Sequence, residues 1–354
     1  MKQASEKKAI HKNRKLGAAF KVAQPESQKS IKFVDLFAGI GGFRFALQQV
    51  CKERNLEASC VLSSDIDEEC QKSYFANFEE MPHGDITQID ESSVPKHDIL
   101  LGGFPCQPFS ICGDMMGFED TRGTLFFHIA RILKAKRPKA FLLENVKLLT
   151  SHDQGKTLQK ILRTLRDLGY FVDYKVLNAL HYGLPQKRER IFLVGFDKNY
   201  GFDWPIGNVP MTPLSSILEK DVPSQYYASA KIRESRLSRM SPTQEPTIWH
   251  ENKAGHISAY PFSCALRAGA SYNYLLVNGE RRLTPREMLR LQGFPESFKI
   301  VSTYQQIRKQ AGNSVAVPVV SAVLKKMLEA LSWGKLKLRA SFTAAEGGCV
   351  PGFA

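Results

Sequence analysis

The sequence predicts an α/β fold: a mostly parallel sheet with helices on both faces, joined to a smaller, irregular, β-containing region. Three observations carry this. Apolar, β-prone runs alternate with helical stretches from Ile31 to Phe196, as in a sheet whose connections cross over as helices. The first run, Ile31–Phe37, ends in Ala38-Gly-Ile-Gly-Gly42 and passes into a helical stretch, Phe43–Val50. Strand, glycine turn and helix open a nucleotide-binding unit. From about Phe202 to Val277 the alternation stops, and Pro205, Pro210, Pro213, Pro223, Pro242 and Pro246 break up short β-prone pieces.

The elements follow in order. A second strand, Ser59–Ser64, ends at Asp65 and precedes a helix rich in Glu, Gln and Lys. Gly84-Asp-Ile86 leads to a third strand, Asp98–Leu101, and then to the turn Gly102-Gly-Phe-Pro-Cys-Gln-Pro-Phe-Ser110. Ala140–Val146 is a further strand with Glu144 near its C-terminal end. An amphipathic helix from about Thr157 to Leu168 separates it from Tyr170–Leu177, and Arg190–Phe196 adds one more strand. Thr284 is placed to cap a helix through Gln292, with Pro285 at its first position. A last helix, Val317 to Leu331, carries an apolar face that would dock on the main sheet. The expected divisions are a basic disordered tail over 1–30, a main unit over 31–201, a second unit over 202–281, a return to the main unit over 282–335, and a tail over 336–354, disordered from about Ser341.

A net charge of +14 over 354 residues implies a polyanionic partner, most simply nucleic acid. Seven cysteines, an odd number with no Cys-x-x-Cys pair, argue against a disulfide framework and a zinc site, so no metal is expected. No apolar run approaches the roughly 20 residues that span a bilayer. The N-terminus lacks the apolar core of a secretory signal. The expectation is a cytoplasmic protein without membrane contact.

The chemistry centres on Cys106. Pro105 and Pro108 stiffen the turn around it at the C-terminal end of a strand, where open α/β sheets carry their ligand crevice. A rigid thiol there is a nucleophile to aim; the alternative is a buried, inert cysteine. Gly39, Gly41 and Gly42 do not complete Gly-x-Gly-x-x-Gly. Asp65 is placed to accept from ribose hydroxyls and Asp85 to receive an adenine amino group, though either one alone could be a cap. A glycine turn with carboxylates and no basic phosphate clamp suits a nucleoside cofactor without phosphate, of which S-adenosyl-L-methionine is the obvious one. A thiolate beside a carboxylic acid suits attack on carbon 6 of a pyrimidine while the acid engages ring nitrogen 3, which makes carbon 5 nucleophilic. Gln186-Lys-Arg-Glu-Arg190 adds guanidinium groups, and Arg188 could serve the thiolate, a developing charge or a flanking phosphate. A solvated basic turn is the other reading of that run.

With these residues in place, the chain resembles the DNA (cytosine-5) methyltransferases of bacterial restriction-modification systems. The resemblance rests on Phe33–Phe43, Gly103–Ser110, Gly117–Phe126, Leu143–Val146, Gln186–Ile191, Arg282–Glu287 with Leu291–Pro295, and Gly312–Val315, in the family's order. It implies a Rossmann-like S-adenosylmethionine-dependent methyltransferase domain with a target-recognition domain over 202–281. It implies Cys106 as nucleophile, Glu144 at ring nitrogen 3, and Arg188 and Arg190 holding the flipped cytosine and its phosphate. Phe37, Gly39, Gly41, Asp65, Ile66, Asp85, Ile86, Pro105, Leu125, Asn313 and Ser314 would form the cofactor pocket. Gly113 to Gly123 would belong to a mobile loop closing on DNA. Expected DNA contacts are Gln107, Ser110, Arg122, Arg282 and Arg286, with Arg281 and Arg290 along the same stretch; Gln244, Arg267 and Ser271 to Asn273 are candidates for base readout. The partner would be double-stranded DNA. A cognate restriction endonuclease would act separately, and a monomer suffices for modifying one strand at a time. Two rivals stand: a transfer-RNA methyltransferase of the same family, and a catalytically silent DNA-binding regulator.

Overall fold

A computed structural model describes residues 30–105 and 125–343, with side chains through residue 332. The chain runs β1 (Ser30–Leu36), α1 (Gly42–Glu53), β2 (Glu57–Ser64), α2 (Glu68–Phe78), β3 (Ile99–Gly103), α3 (Leu125–Lys136), β4 (Ala140–Val146), α4 (Lys156–Asp167), β5 (Phe171–Asn178), β6 (Gln186–Lys187) and β7 (Glu189–Phe196). There follow α5 (Ala230–Leu237), β8 (Ile248–Glu251), β9 (Ile257–Tyr260), β10 (Ser263–Cys264), β11 (Leu275–Val277), α6 (Pro285–Gln292), α7 (Tyr304–Asn313) and α8 (Val317–Thr343).

The main sheet has the order β2-β1-β3-β4-β7-β5. β1 pairs parallel with β2 and β3, and β3 with β4, whereas β7 runs antiparallel to both β4 and β5. From β1 the chain builds outward through β2, then crosses back to place β3 on the other side. That reversal opens a crevice beyond the C-terminal ends of β1 and β3. Strand period 2 divides the side chains between two cores. Phe33, Ile99, Leu101, Leu142 and Val194 join α1 and α8, whereas Val34, Leu100, Phe141, Leu143 and Leu193 join α3 and α4.

The helices form where apolar spacing and caps agree. In α1 the buried Phe43, Ala46, Leu47, Val50 and Cys51 fall at one-face spacing, and in α4 Leu158, Ile161, Leu162 and Leu165 do the same. Thr284 caps α6 in a complete capping box with Glu287, and Pro285 occupies the first turn.

Four expectations need correction or extension. β7 returns antiparallel, which the alternation of strands and helices does not reveal. α8 packs on α1, with Lys325 bridging Glu53 at 2.7 Å and Arg54 donating to the Lys325 carbonyl. It continues to Thr343, so the tail expected from residue 336 begins as helix. The region after Phe202 contains an antiparallel sheet β11-β8-β9 and a short β10 paired with β6. Its Ile248, Leu266 and Leu275 belong to the same apolar core as Phe33 and Leu47. Among the described residues no helix is long and apolar enough to cross a membrane.

Candidate active site

The crevice beyond β1 and β3 is a cavity of about 500 Å³, within the range of small-molecule sites. Its walls bring together residues from four strand ends and two more distant segments. Phe37 to Gly39 enter from β1, Asp65 and Ile66 from β2, Gly103 to Pro105 from β3 and Glu144 to Val146 from β4. Arg188 and Arg190 come from the β6–β7 stretch, and Asn313 to Val315 from the segment leaving α7.

At one end the backbone is wound tightly. Phe37 itself adopts a left-handed conformation, φ 56°, unusual for a bulky residue. Gly41, φ 84°, is the α1 N-cap, and a Cβ there would lie 2.2 Å from the Phe78 ring. Only glycine fits both constraints. Asp65 holds the turn in place: one carboxylate oxygen accepts from the Gly39 N–H at 2.7 Å and the other from the Asp67 N–H at 2.9 Å. Burial raises the Asp65 pKa, while those two N–H groups draw it down. Asp67 caps α2 and receives Lys309 Nζ at 2.6 Å, which pins α7 across the cavity.

Beneath the turn lies Asp35, fully buried, with no hydrogen-bond partner found for either carboxylate oxygen. Burial holds its pKa well above the ordinary carboxylate value, Asp65 adds to this, and Arg44 opposes it. Arg44 is bound bidentately to Glu80, at 2.5 and 2.9 Å, and rests on the Phe78 ring.

At the other end sits Glu144. It is buried, and burial raises its pKa against the pull of Arg190 and Arg188. Arg190 Nε lies 3.1 Å from Oε1. The second oxygen lies beside Gly103, where a Cβ would come within 3.7 Å of it. Asn145 Nδ2 donates to the Phe104 carbonyl at 3.0 Å, tying β4 to the turn after β3. Pro105 lines the cavity, and the next residue is Cys106.

Arg188 is fully buried, and its charge is disfavoured by burial and by Arg190 beside it. It donates to the carbonyls of Leu266, Gly312 and Ser314. It therefore braces the cavity wall, and among the described residues its Nε has no hydrogen-bond partner. Gly312 is equally constrained, because a Cβ would approach Ala268 N to 2.5 Å.

The expected sites thus separate. Phe37, Gly39, Asp65, Ile66, Pro105, Glu144, Arg188, Arg190, Asn313 and Ser314 share one cavity. Gly41 shapes the turn from outside that wall. Asp85 and Ile86 stand apart from it: the Asp85 carboxylate caps a short turn through the Thr87 N–H, and Ile86 is buried. Leu125 begins α3. Cys106, Gln107, Ser110, Arg122 and the Gly113–Gly123 loop lie outside the described residues. The arginines expected at DNA also have partners within the chain. Arg282 donates to the Tyr226 and Gln225 carbonyls, and Arg286 to those of Pro295 and Phe298. Arg281 is locked to Glu287, and Arg290 to Glu296.

Asp67, Asn145, Lys309 and Gln310 went unnoticed in the sequence. Asn145 lies within the Leu143–Val146 motif but was given no role, Gln310 stands two residues before Gly312, and Asp67 precedes a Glu-rich helix as a capping residue does.

The cavity fits a phosphate-free nucleoside. Its glycine-turn end presents Asp65 and Asp67, and Lys309 is paired with Asp67. Carboxylates there accept from hydroxyls and repel phosphate. Among the described residues no group of three or more His, Cys, Asp or Glu could hold a metal ion.

Comparison with known proteins agrees with this geometry. A family model for C-5 cytosine-specific DNA methylases matches residues 31–329. The type II methyltransferase M.NgoBI of Neisseria gonorrhoeae is 56% identical over 299 residues, 83% of this chain and 92% of that protein. M.HaeII of Haemophilus aegyptius is 54% identical over 314 residues, 88% and 96% of the two chains. The crystal structure of S. pombe Dnmt2 methyltransferase superimposes with a TM-score of 0.65 at 22% identity, over 85% of this chain and 99% of that one, a likeness of fold.

Proposed function

The chain belongs to the C-5 cytosine-specific DNA methylase family, and from that membership we propose that it methylates carbon 5 of a cytosine turned out of double-stranded DNA, through a covalent bond to Cys106. The observation that carries this reading is the buried Glu144, its pKa raised, in the same cavity as the acidic glycine-turn end and the residue preceding Cys106.

When bound, S-adenosyl-L-methionine supplies the methyl group. Asp65 would take its ribose hydroxyls, Phe37 and Ile66 its adenine faces, and Asn313 and Ser314 its remaining polar groups. The target carbon is inaccessible inside a duplex, so the base must leave the stack, at a cost of a few kcal/mol. The Cys106 thiolate adds to carbon 6 as Glu144 protonates ring nitrogen 3. The electron pair then rests at carbon 5, which takes the methyl group. The carbon 5 proton then leaves to solvent water, the ring nitrogen 3 proton returns to Glu144, and breakage of the C6–S bond restores the ring and the thiolate. Arg190 fixes one Glu144 oxygen and leaves the other for the base.

The segment 202–281 would read the DNA sequence. The relatives named type II methyltransferases support a role in a restriction-modification system, with any endonuclease separate and the methyltransferase a monomer. The test offers purified protein and methyl-labelled S-adenosylmethionine plasmid DNA or bulk transfer RNA, then digests to nucleosides. Label in 5-methyldeoxycytidine is expected. Label only in RNA, or none, would overturn the reading.

A further inference from the structure

The arginines near the cavity are mostly committed to internal oxygens. Arg188, Arg282 and Arg286 donate to carbonyls, as described, and Arg308 holds those of Ala270 and Ser271 at 3.0 Å each. Arg267 is different. It is exposed, and among the described residues its guanidinium makes no hydrogen bond or ion pair. The group lies over the Tyr274 ring, 4.9 Å from its centroid.

Its backbone, by contrast, is fixed at the cavity. Leu266 donates to Gln186 Oε1 at 3.1 Å and accepts from Arg188 at 3.2 Å. The Arg267 N–H donates to the Tyr274 hydroxyl at 3.0 Å. Gly312, a wall residue of the cavity, packs so closely that a Cβ would come within 2.9 Å of the Arg267 carbonyl carbon. A free guanidinium is therefore carried on a rigid mount beside the reaction site. Stacking on Tyr274 fixes its plane, so less freedom is lost when its edge bonds.

We propose that Arg267 grips double-stranded DNA at the flank of the cytosine being methylated, its planar fork bonding two acceptors at once. Those acceptors are O6 and N7 of a guanine or two oxygens of one phosphate. The inference rests on the DNA-methylating reading above.

The sequence methylated by the wild-type protein is first found by bisulfite sequencing. Fluorescence anisotropy then measures binding of a duplex carrying it, and of a scrambled duplex, in the presence of S-adenosylhomocysteine. Arg267→Ala is expected to melt like wild type and to bind the methylated-sequence duplex roughly 10- to 100-fold more weakly. Arg267→Lys should restore only part of the loss. A loss confined to that duplex identifies guanine. An equal loss on both duplexes, with the salt slope reduced by about one, identifies phosphate. Wild-type affinity and methylation in Arg267→Ala would overturn the proposal. A wild-type protein that methylates no DNA would bring down the functional reading and this inference together.

Discussion

Replacing Glu144 by Gln keeps the side chain's volume and one carbonyl acceptor but removes the proton it can give. The side chain is buried, with Arg190 Nε 3.1 Å from one oxygen, so Gln should occupy the same position. Positioned proton transfer contributes roughly 100- to 10,000-fold in rate, about 3–5 kcal/mol of barrier. The expected kcat of Glu144→Gln is lower by that factor, with cofactor affinity unchanged. Burial raises the Glu144 pKa, so its protonated form persists above the ordinary carboxylate range. Stability linked to such a group is present at low pH and lost as pH rises through the folded value. Near neutrality Gln therefore removes a burial penalty while Arg190 keeps an acceptor but loses its counter-charge, and the opposing changes should leave Tm within a few degrees of wild type. The assay is single-turnover transfer of labelled methyl groups to duplex DNA across pH. Wild-type rate should lose the Glu144 contribution as pH rises through the raised value, and the variant should lack that limb. A variant turning over within threefold of wild type would refute the proton-donor role.

Other substitutions test other parts. Cys106→Ser should abolish methyl transfer while S-adenosylmethionine binding by calorimetry stays near wild type; retained turnover would end the covalent route. Asp65→Ala removes the acceptor of the Gly39 and Asp67 N–H groups. With charged hydrogen bonds worth about 1.5–3 kcal/mol, cofactor Kd should rise at least tenfold, and an unchanged Kd would remove Asp65 from the site. Arg281→Leu strands Glu287, which is fully buried and bound through both oxygens. Denaturant unfolding should show a loss of about 3–5 kcal/mol, and a loss below about 1 kcal/mol would show that the pair is not needed.

Much of the site was legible because its chemistry sits at strand ends. Asp65 and Glu144 close apolar runs whose period and length mark them as strands, and the glycines after Leu36 mark the turn. Contacts between distant segments were not legible. Lys309 reaches Asp67, and Gln310 the Glu69 carbonyl, across more than 240 residues, and neither residue type signals such a partner. The direction of β7 was hidden too, since a strand's apolar pattern is the same read either way. The arginines' partners within the chain were hidden for a related reason: carbonyl oxygens occur at every residue, so a sequence cannot show which of them a guanidinium meets. That Asp35, just before the glycine turn, is fully buried was not legible either.

The most direct test of the central claim is bisulfite sequencing of plasmid DNA from a methylation-deficient host expressing the wild-type chain, beside one expressing Cys106→Ala. The account predicts protected cytosines within one short recurring sequence for the wild type and none for the variant. Unprotected cytosines in both, from soluble protein that binds S-adenosylmethionine, or protection that survives in Cys106→Ala, would contradict it.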